Sequence, residues 1–217
     1  MRHGPDNATW WEIAVIDQLL RQPKERFLAP LALGPLRTVS PTTLTVAALV
    51  VGLGSAVAAW QGAYPLALVL WLANRALDGL DGTVARLHGK QSDFGGYLDI
   101  VLDTIIYAAV PLGIALSVDT RSGYLCLALL ITSFYINGAA WLYQSALLEK
   151  HRHGAAGRGE LTTVTIPSGL MEGTETIVFY CLFLMLSGLF SWLCCAMAAL
   201  VAVTIVQRLW WAAMVAN

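Results

Sequence analysis

The 217-residue chain is 57% hydrophobic and only 12% charged, with a formal net charge of −1. That excludes an ordinary soluble domain, in which about a quarter of the residues carry charge. Apolar runs of about 20 residues recur along it and predict an all-α integral membrane protein.

Residues 1–7 are polar and contain Pro5, so no removable signal peptide is expected. Residues 10–22 predict an amphipathic helix lying in the membrane interface. Trp11, Ile13, Val15, Ile16, Leu19 and Leu20 form its apolar arc, Asp17, Gln18 and Arg21 lie opposite, and Glu12 breaks the pattern. Arg21, Lys24 and Arg26 would meet anionic lipid there; the plainer reading is a cytosolic helix on the protein's own loops. Pro30 and Pro35 punctuate the connection that follows.

Six spans are predicted, at about 42–60, 66–86, 95–117, 124–148, 167–187 and 192–206. Ser40 before Pro41 marks a helix start. Gly52 and Gly54 offer a small-residue face for helix contact. Residues 62–65 read as a tight turn, 87–94 as a polar loop and 150–158 as a basic loop. Trp210 and Trp211 mark an interface. One membrane domain, 1–217, is expected, with no internal repeat and no nucleic-acid partner. Cys126, Cys181, Cys194 and Cys195 form no C-x-x-C pair and read as small hydrophobes.

With six spans and a cytoplasmic N-terminus, Arg21, Lys24, Arg26, Arg37, Lys90, Lys150, Arg152, Arg158 and Arg208 fall inside the cell and only Arg121 outside. This is the positive-inside pattern. Both termini and the acidic stretch described next then lie on the cytoplasmic side.

Residues 78–103 place four aspartates in apolar surroundings. Acids inside membrane segments are costly, and their default reading is functional. Asp78 and Asp81 are spaced i, i+3, and Asp99 and Asp103 i, i+4, so each pair shares a helix face. If the two helices are antiparallel neighbours, their faces hold one or two divalent ions, and hard oxygen ligands suit Mg²⁺ or Mn²⁺. Asn74, one turn before Asp78, is placed to bond a ligand carboxylate from behind. Arg75 would instead offset negative charge, and His88 reads as a solvated loop histidine.

The same stretch resembles the signature of the CDP-alcohol phosphotransferases, D-x2-D-G-x2-A-R-x8-G-x3-D-x3-D. Asp78, Asp81, Gly82, Ala85, Arg86, Gly95, Asp99 and Asp103 match it at every spacing. The resemblance implies transfer of a phosphatidyl group from CDP-diacylglycerol, or another CDP-alcohol, to a small polar alcohol with release of CMP. It implies phospholipid synthesis by a homodimer in a bacterial cytoplasmic membrane. Asp78, Asp81, Asp99 and Asp103 would then be metal ligands, with Asp103 also the general base. Gly82, Ala85 and Arg86 would meet the CDP, and Gly95 would let the two acidic helices pack closely. Ser92 stands where family members place a hydroxyl near the nucleotide. Thr42 and Thr43 begin the span that lies beside the CDP in the family, although many members have Asn where this chain has Thr42. Without the signature, Gly82 and Ala85 would read as helix packing and Arg86 as an interfacial anchor.

In the fifth span, Glu172 and Glu175 recur at i, i+3 beside Thr174 and Thr176. They are expected to line the acceptor-alcohol pocket; the competing reading pairs them with Arg158 or Lys150. Few basic residues are expected within the later spans, which disfavours a phosphorylated acceptor. A cation-conducting transporter using the same carboxylates is the alternative function. It gives no reason for the spacing of Gly82, Ala85 and Arg86. An aspartate-rich prenyltransferase would need more spans than this chain supplies, and an inert scaffold would leave four buried acids unexplained.

Overall fold

The computed structural model describes residues 30, 32–34, 38–150 and 169–215. The expected interfacial helix at 10–22, most of the basic loop and the first residues of the fifth span lie outside these. Among the described residues six α-helices run in order: α1 Pro41–Trp60, α2 Tyr64–Leu87, α3 Asp93–Val118, α4 Arg121–Lys150, α5 Gly173–Met185 and α6 Phe190–Val215. A short 3₁₀ turn, Ser187–Leu189, precedes α6, and no strand occurs among the described residues.

Local chemistry sets most of the boundaries. Ser40 caps α1, its Oγ accepting from Thr43 N, with Pro41 in the first turn where its missing N–H costs nothing. The turn before α2 uses Gly62 at φ +74, and Pro65 sits inside the first turn of α2 rather than in the loop. The loop expected at 87–94 is shorter, because Leu87 closes α2 and Ser92 already caps α3. Helix α5 starts at Gly173, and α6 continues to Val215, nine residues past the expected end of the last span.

Among the described residues four stretches are long and apolar enough to cross a membrane: Pro41–Trp60, Asp93–Val118, Arg121–Leu147 and Ser187–Ala213. Their outward faces carry large apolar side chains such as Val50, Val57, Leu125 and Val206, which suits lipid rather than water. Helix α2 has the length but carries Arg75, Asp78, Asp81 and Arg86.

Helix α1 packs against both α2 and α3, and α4 against α6. Small residues permit this. A Cβ on Gly52 would stand 2.7 Å from Ile106 Cδ1 and 2.9 Å from Asn74 Nδ2, so α2 and α3 both close over this point of α1. Gly54 makes only ordinary contact with Leu70. Ser55 Oγ donates to Ala67 O at 2.7 Å, adding a buried polar link from α1 to α2. The core is an aromatic seam. Trp71 stacks on Tyr180 with ring centres 4.8 Å apart, and Tyr180, Phe183 and Phe190 continue it from α5 into α6.

One proline shapes this seam. Pro111 lies inside α3 and cannot donate to the carbonyl four residues earlier, that of Tyr107. The Tyr180 hydroxyl donates to this Tyr107 oxygen instead. The bond ties α5 to α3 and holds Tyr107 beside the acidic helices. Among the cysteines, all free, Cys194 is buried and the other three half-buried.

Candidate active site

Asp78 and Asp81 stand in the C-terminal half of α2, and Asp99 and Asp103 in the first three turns of α3. The faces of the two helices meet through side chains rather than by close backbone packing. Each packs mainly on α1, and side chains bridge the space between them. Gly95 accordingly does not serve a helix–helix approach. A Cβ there would meet only Ser92 Oγ, at 3.0 Å, in its own cap.

Arg75 is the bridge. Its Nη1 donates to Asp103 Oδ2 at 3.0 Å and its Nη2 to Asp103 Oδ1 at 2.7 Å, a fork matched to a carboxylate. The same Nη1 lies 3.6 Å from Asp78 Oδ2 and donates to the Tyr107 hydroxyl at 3.1 Å. Behind it, Nε donates to Asn74 Oδ1 at 2.8 Å, and Asn74 Nδ2 donates to Ala48 O of α1 at 2.7 Å. The guanidinium carbon lies 4.9 Å from the Trp71 ring centre and 5.2 Å from that of Tyr107. Cation–π attraction and four directed hydrogen bonds thus hold a buried charge in one orientation. The expectation that Arg75 offsets negative charge is met. Asn74 supports Arg75 rather than a carboxylate directly.

Asp81 is 6% exposed, and its Oδ2 is buried with no hydrogen-bond partner among the described residues. Thr45 of α1 is within hydrogen-bonding reach of this carboxylate. A buried carboxylate oxygen without a donor is costly unless a cation meets it. Asp99 Oδ1 is also sealed from solvent, and the charges of Asp78, Asp99 and Asp103 act on one another. These oxygens fit a hard divalent ion. Among the described residues, however, no three acidic, histidine or cysteine side chains converge tightly enough to enclose one. Arg75 stands between Asp78 and Asp103.

Gly82 and Arg86 are one turn apart, and Arg86 Nη1 lies 3.1 Å from where a Gly82 Cβ would be. The missing side chain lets the guanidinium lie along the helix at the rim of the acidic set. Ala85 is half-buried beside it. Thr42 and Thr43 are exposed in the first turn of α1, Thr43 Oγ1 lying 2.7 Å from Ser40 Oγ. Ser92 is engaged as a cap, its Oγ accepting from Gly95 N at 3.1 Å. His88 is half-buried, its Nε2 3.1 Å from Ala32 O.

The acids of the fifth span sit at the start of α5. Glu172 is its N-cap residue; Glu172 Oε1 accepts from Gly169 N at 2.6 Å, and Glu175 Oε2 accepts from Glu172 N at 3.3 Å. Thr176 Oγ1 donates back to Glu172 O at 2.8 Å. The segment before α5 is fastened to α6, with Met171 N donating to Thr204 Oγ1 at 3.0 Å and Leu170 N to Gln207 Oε1 at 3.1 Å. Glu172→Ala is expected to lower stability in detergent melts by about 0.5–2 kcal/mol, the range for a lost cap. Glu172→Gln keeps an acceptor oxygen and should retain most of that stability.

Arg208 was expected outside the spans. It is instead 6% exposed within α6, donating to Asn137 Oδ1 at 3.1 Å and to Gln144 Oε1 at 3.2 Å, both on α4. The reason is the extra length of α6. Arg208 is also within electrostatic range of Glu172.

Sequence reasoning missed Tyr107, Trp71 and Tyr180 as supports of the site. The signal for Tyr107 was its position one turn after Asp103, with Pro111 one turn further on.

The CDP-alcohol phosphatidyltransferase family model matches residues 38–210. An inner membrane protein of Escherichia coli, YnjF, is 35% identical over 172 residues, covering 79% of this chain and 82% of its own. An archaetidylinositol phosphate synthase of Pyrococcus horikoshii is 29% identical over 175 residues, covering 80% and 87%. Among solved structures, the Mycobacterium tuberculosis phosphatidylinositol phosphate synthase PgsA1 with CDP-DAG bound has the same fold, at TM-score 0.65 and 22% identity. It covers 85% of this chain and 92% of its own. The same enzyme in complex with manganese and citrate superposes at 0.63 with 22% identity, covering 84% and 87%. The matched region contains all eight signature positions and the helices that carry them, and the chain belongs to the CDP-alcohol phosphatidyltransferase family.

Proposed function

We propose that this integral membrane protein transfers a phosphatidyl group from CDP-diacylglycerol to an alcohol in phospholipid synthesis, with release of CMP. The observation that carries the reading is the signature itself, whose two acidic pairs are joined across two helices by Arg75 on Asp103 and Asp78. In the reaction, the acceptor hydroxyl oxygen bonds to the phosphorus that bears the lipid oxygen. The bond from that phosphorus to CMP breaks, and its electron pair leaves with CMP. The hydroxyl proton passes to Asp103, whose carboxylate Arg75 holds oriented. Arg86 and the small residues Gly82 and Ala85 receive the CDP phosphates at the rim. Ser92, Thr42 and Thr43 border the nucleotide.

Asp78, Asp81 and Asp99 would hold Mg²⁺ or Mn²⁺, with Asp103 at the edge. Such an ion neutralises phosphoryl charge when bound. Manganese in the complex of the structural relative supports this choice.

The proposal includes a six-span domain, with α2 and α5 as the two crossings beyond the four apolar ones, and a homodimer. It also places the protein in a bacterial cytoplasmic membrane, with the site facing the cytoplasm. At about 1.5 Å per residue α2 is long enough to cross. Arg75 reaches Asp103 on α3, Asp78 lies 3.6 Å from Arg75, and Asp81 is buried.

Glu172, Glu175 and Thr176 are proposed to border the acceptor pocket. Arg208, buried nearby, removes the ground for disfavouring a phosphorylated acceptor, and the names of two relatives carry an inositol phosphate product. The test is CMP release by purified protein with CDP-diacylglycerol, Mn²⁺ and one alcohol at a time. The alcohols are inositol 1-phosphate, glycerol 3-phosphate, serine and choline. Release that depends on one alcohol is expected. Ion flux in liposomes without any CMP release would replace this reading with the transport one.

A further inference from the structure

The Arg75 guanidinium touches one carboxylate of each acidic pair: both oxygens of Asp103 on α3 and, at 3.6 Å, Asp78 on α2. A group that bridges the two helices through these oxygens holds the place a second divalent ion would take between them. We propose that Arg75 is a built-in cation that substitutes for that ion, so that each chain binds a single divalent ion. The ion binds on the Asp81 side of the set, and Asp103 stays outside its ligand shell. The inference rests on the metal reading above and deepens it.

Three observations support a fixed guanidinium rather than one displaced by an incoming ion. Arg75 is buried, at 7% exposure. Its Nε–H is committed to Asn74, itself anchored on α1, and its faces lie against Trp71 and Tyr107. Moving it would break these contacts together and leave Asn74 Oδ1 without its donor. Asp81 Oδ2, by contrast, is a buried oxygen with no hydrogen-bond partner among the described residues. The acidic set therefore has one position filled by the chain and one suited to an ion. Arginine fits the filled position because its charge is permanent and its donors are planar.

The test counts ions. Purified wild-type protein in detergent, stripped with chelator, is titrated with Mn²⁺, and free Mn²⁺ is read by its paramagnetic resonance signal. One ion per wild-type chain is expected. Arg75→Met, which frees Asp78 and Asp103, is expected to bind two. Asp81→Asn is expected to weaken the wild-type ion at least tenfold. Two ions on the wild type would overturn the proposal while leaving the metal reading intact. One ion on both wild type and Arg75→Met would also overturn it, because Arg75 would then hold no ion's place. No ion on any variant would overturn both readings. If Arg75→Met does not fold, the wild-type count still decides. Arg75→Lys then serves as the second variant: its compact charge spans the two carboxylates less well, so weak binding of a second Mn²⁺ is expected, and none would count against the proposal.

Discussion

Asp103→Asn is expected to lower CMP release by about 10²–10⁴-fold, the contribution typical of a positioned general base. The change removes the proton acceptor and half of the Arg75 fork, so a loss of fold must be separated from a loss of chemistry. Breaking a buried ion pair costs about 3–5 kcal/mol when the remaining charge is fully enclosed. The cost here is smaller, because the Asp103 side chain is 25% exposed and Arg75 keeps Asp78 nearby. The neutral amide still offers one oxygen to the guanidinium. A monodisperse variant that melts a few degrees below wild type but makes no CMP is the expected result. If Arg75 rather than a second ion bridges Asp78 and Asp103, Asp103→Asn also keeps its single Mn²⁺. A general base outside the ion's ligand shell predicts that combination of lost turnover and retained metal; a shared ligand predicts that both are lost. Retention of more than a tenth of the activity in a well-folded variant would remove Asp103 from the proton-transfer role.

The acidic set was legible in the sequence because its signals are local. Two carboxylates at i, i+3 and two at i, i+4 share helix faces whatever the tertiary arrangement. The Ser40–Pro41 start of α1 is equally local. Arg75 was half legible. Its spacing from Asp78 suggested charge compensation, but its fork on Asp103 crosses 28 positions of sequence and depends on α1 spacing the two helices. The Pro111–Tyr107–Tyr180 link was not legible, because the donor comes from a helix more than 70 residues later. Arg208 was misread for a different reason. Arginine near the end of an apolar run ordinarily marks the membrane boundary. Here Asn137 and Gln144 on α4 accept its hydrogen bonds and make burial tolerable. The acids of α5 show the same limit. Spacing alone did not distinguish residues that cap a helix from residues that face a pocket.

Gly113→Ala is expected to be the most damaging change of a single methyl group outside the acidic set. A Cβ at Gly113 would overlap the backbone carbonyl of Ala56 on α1, with that residue's C and Cα atoms at 3.1 and 3.4 Å. Backbone, unlike a flexible side-chain end, cannot rotate away, so α3 must move off α1. Overpacking of this kind costs about 1–3 kcal/mol. The larger effect is expected in turnover. Asp99 and Asp103 ride on α3, Asp78 and Asp81 on α2, and both helices are spaced by α1. A shift of α3 lengthens the Arg75–Asp103 bonds and misplaces the base, and a misplacement of about 1 Å is worth roughly 10²-fold in rate. Gly138→Ala is the matched control, since a Cβ there meets nothing within 4 Å. The two variants are to be compared for melting temperature and CMP release. Slow turnover in Gly113→Ala with near-normal behaviour in Gly138→Ala is expected. Equal behaviour of the two would mean that the α1–α3 contact does not set the site geometry, and that the acidic pairs are aligned by the Arg75 bridge alone.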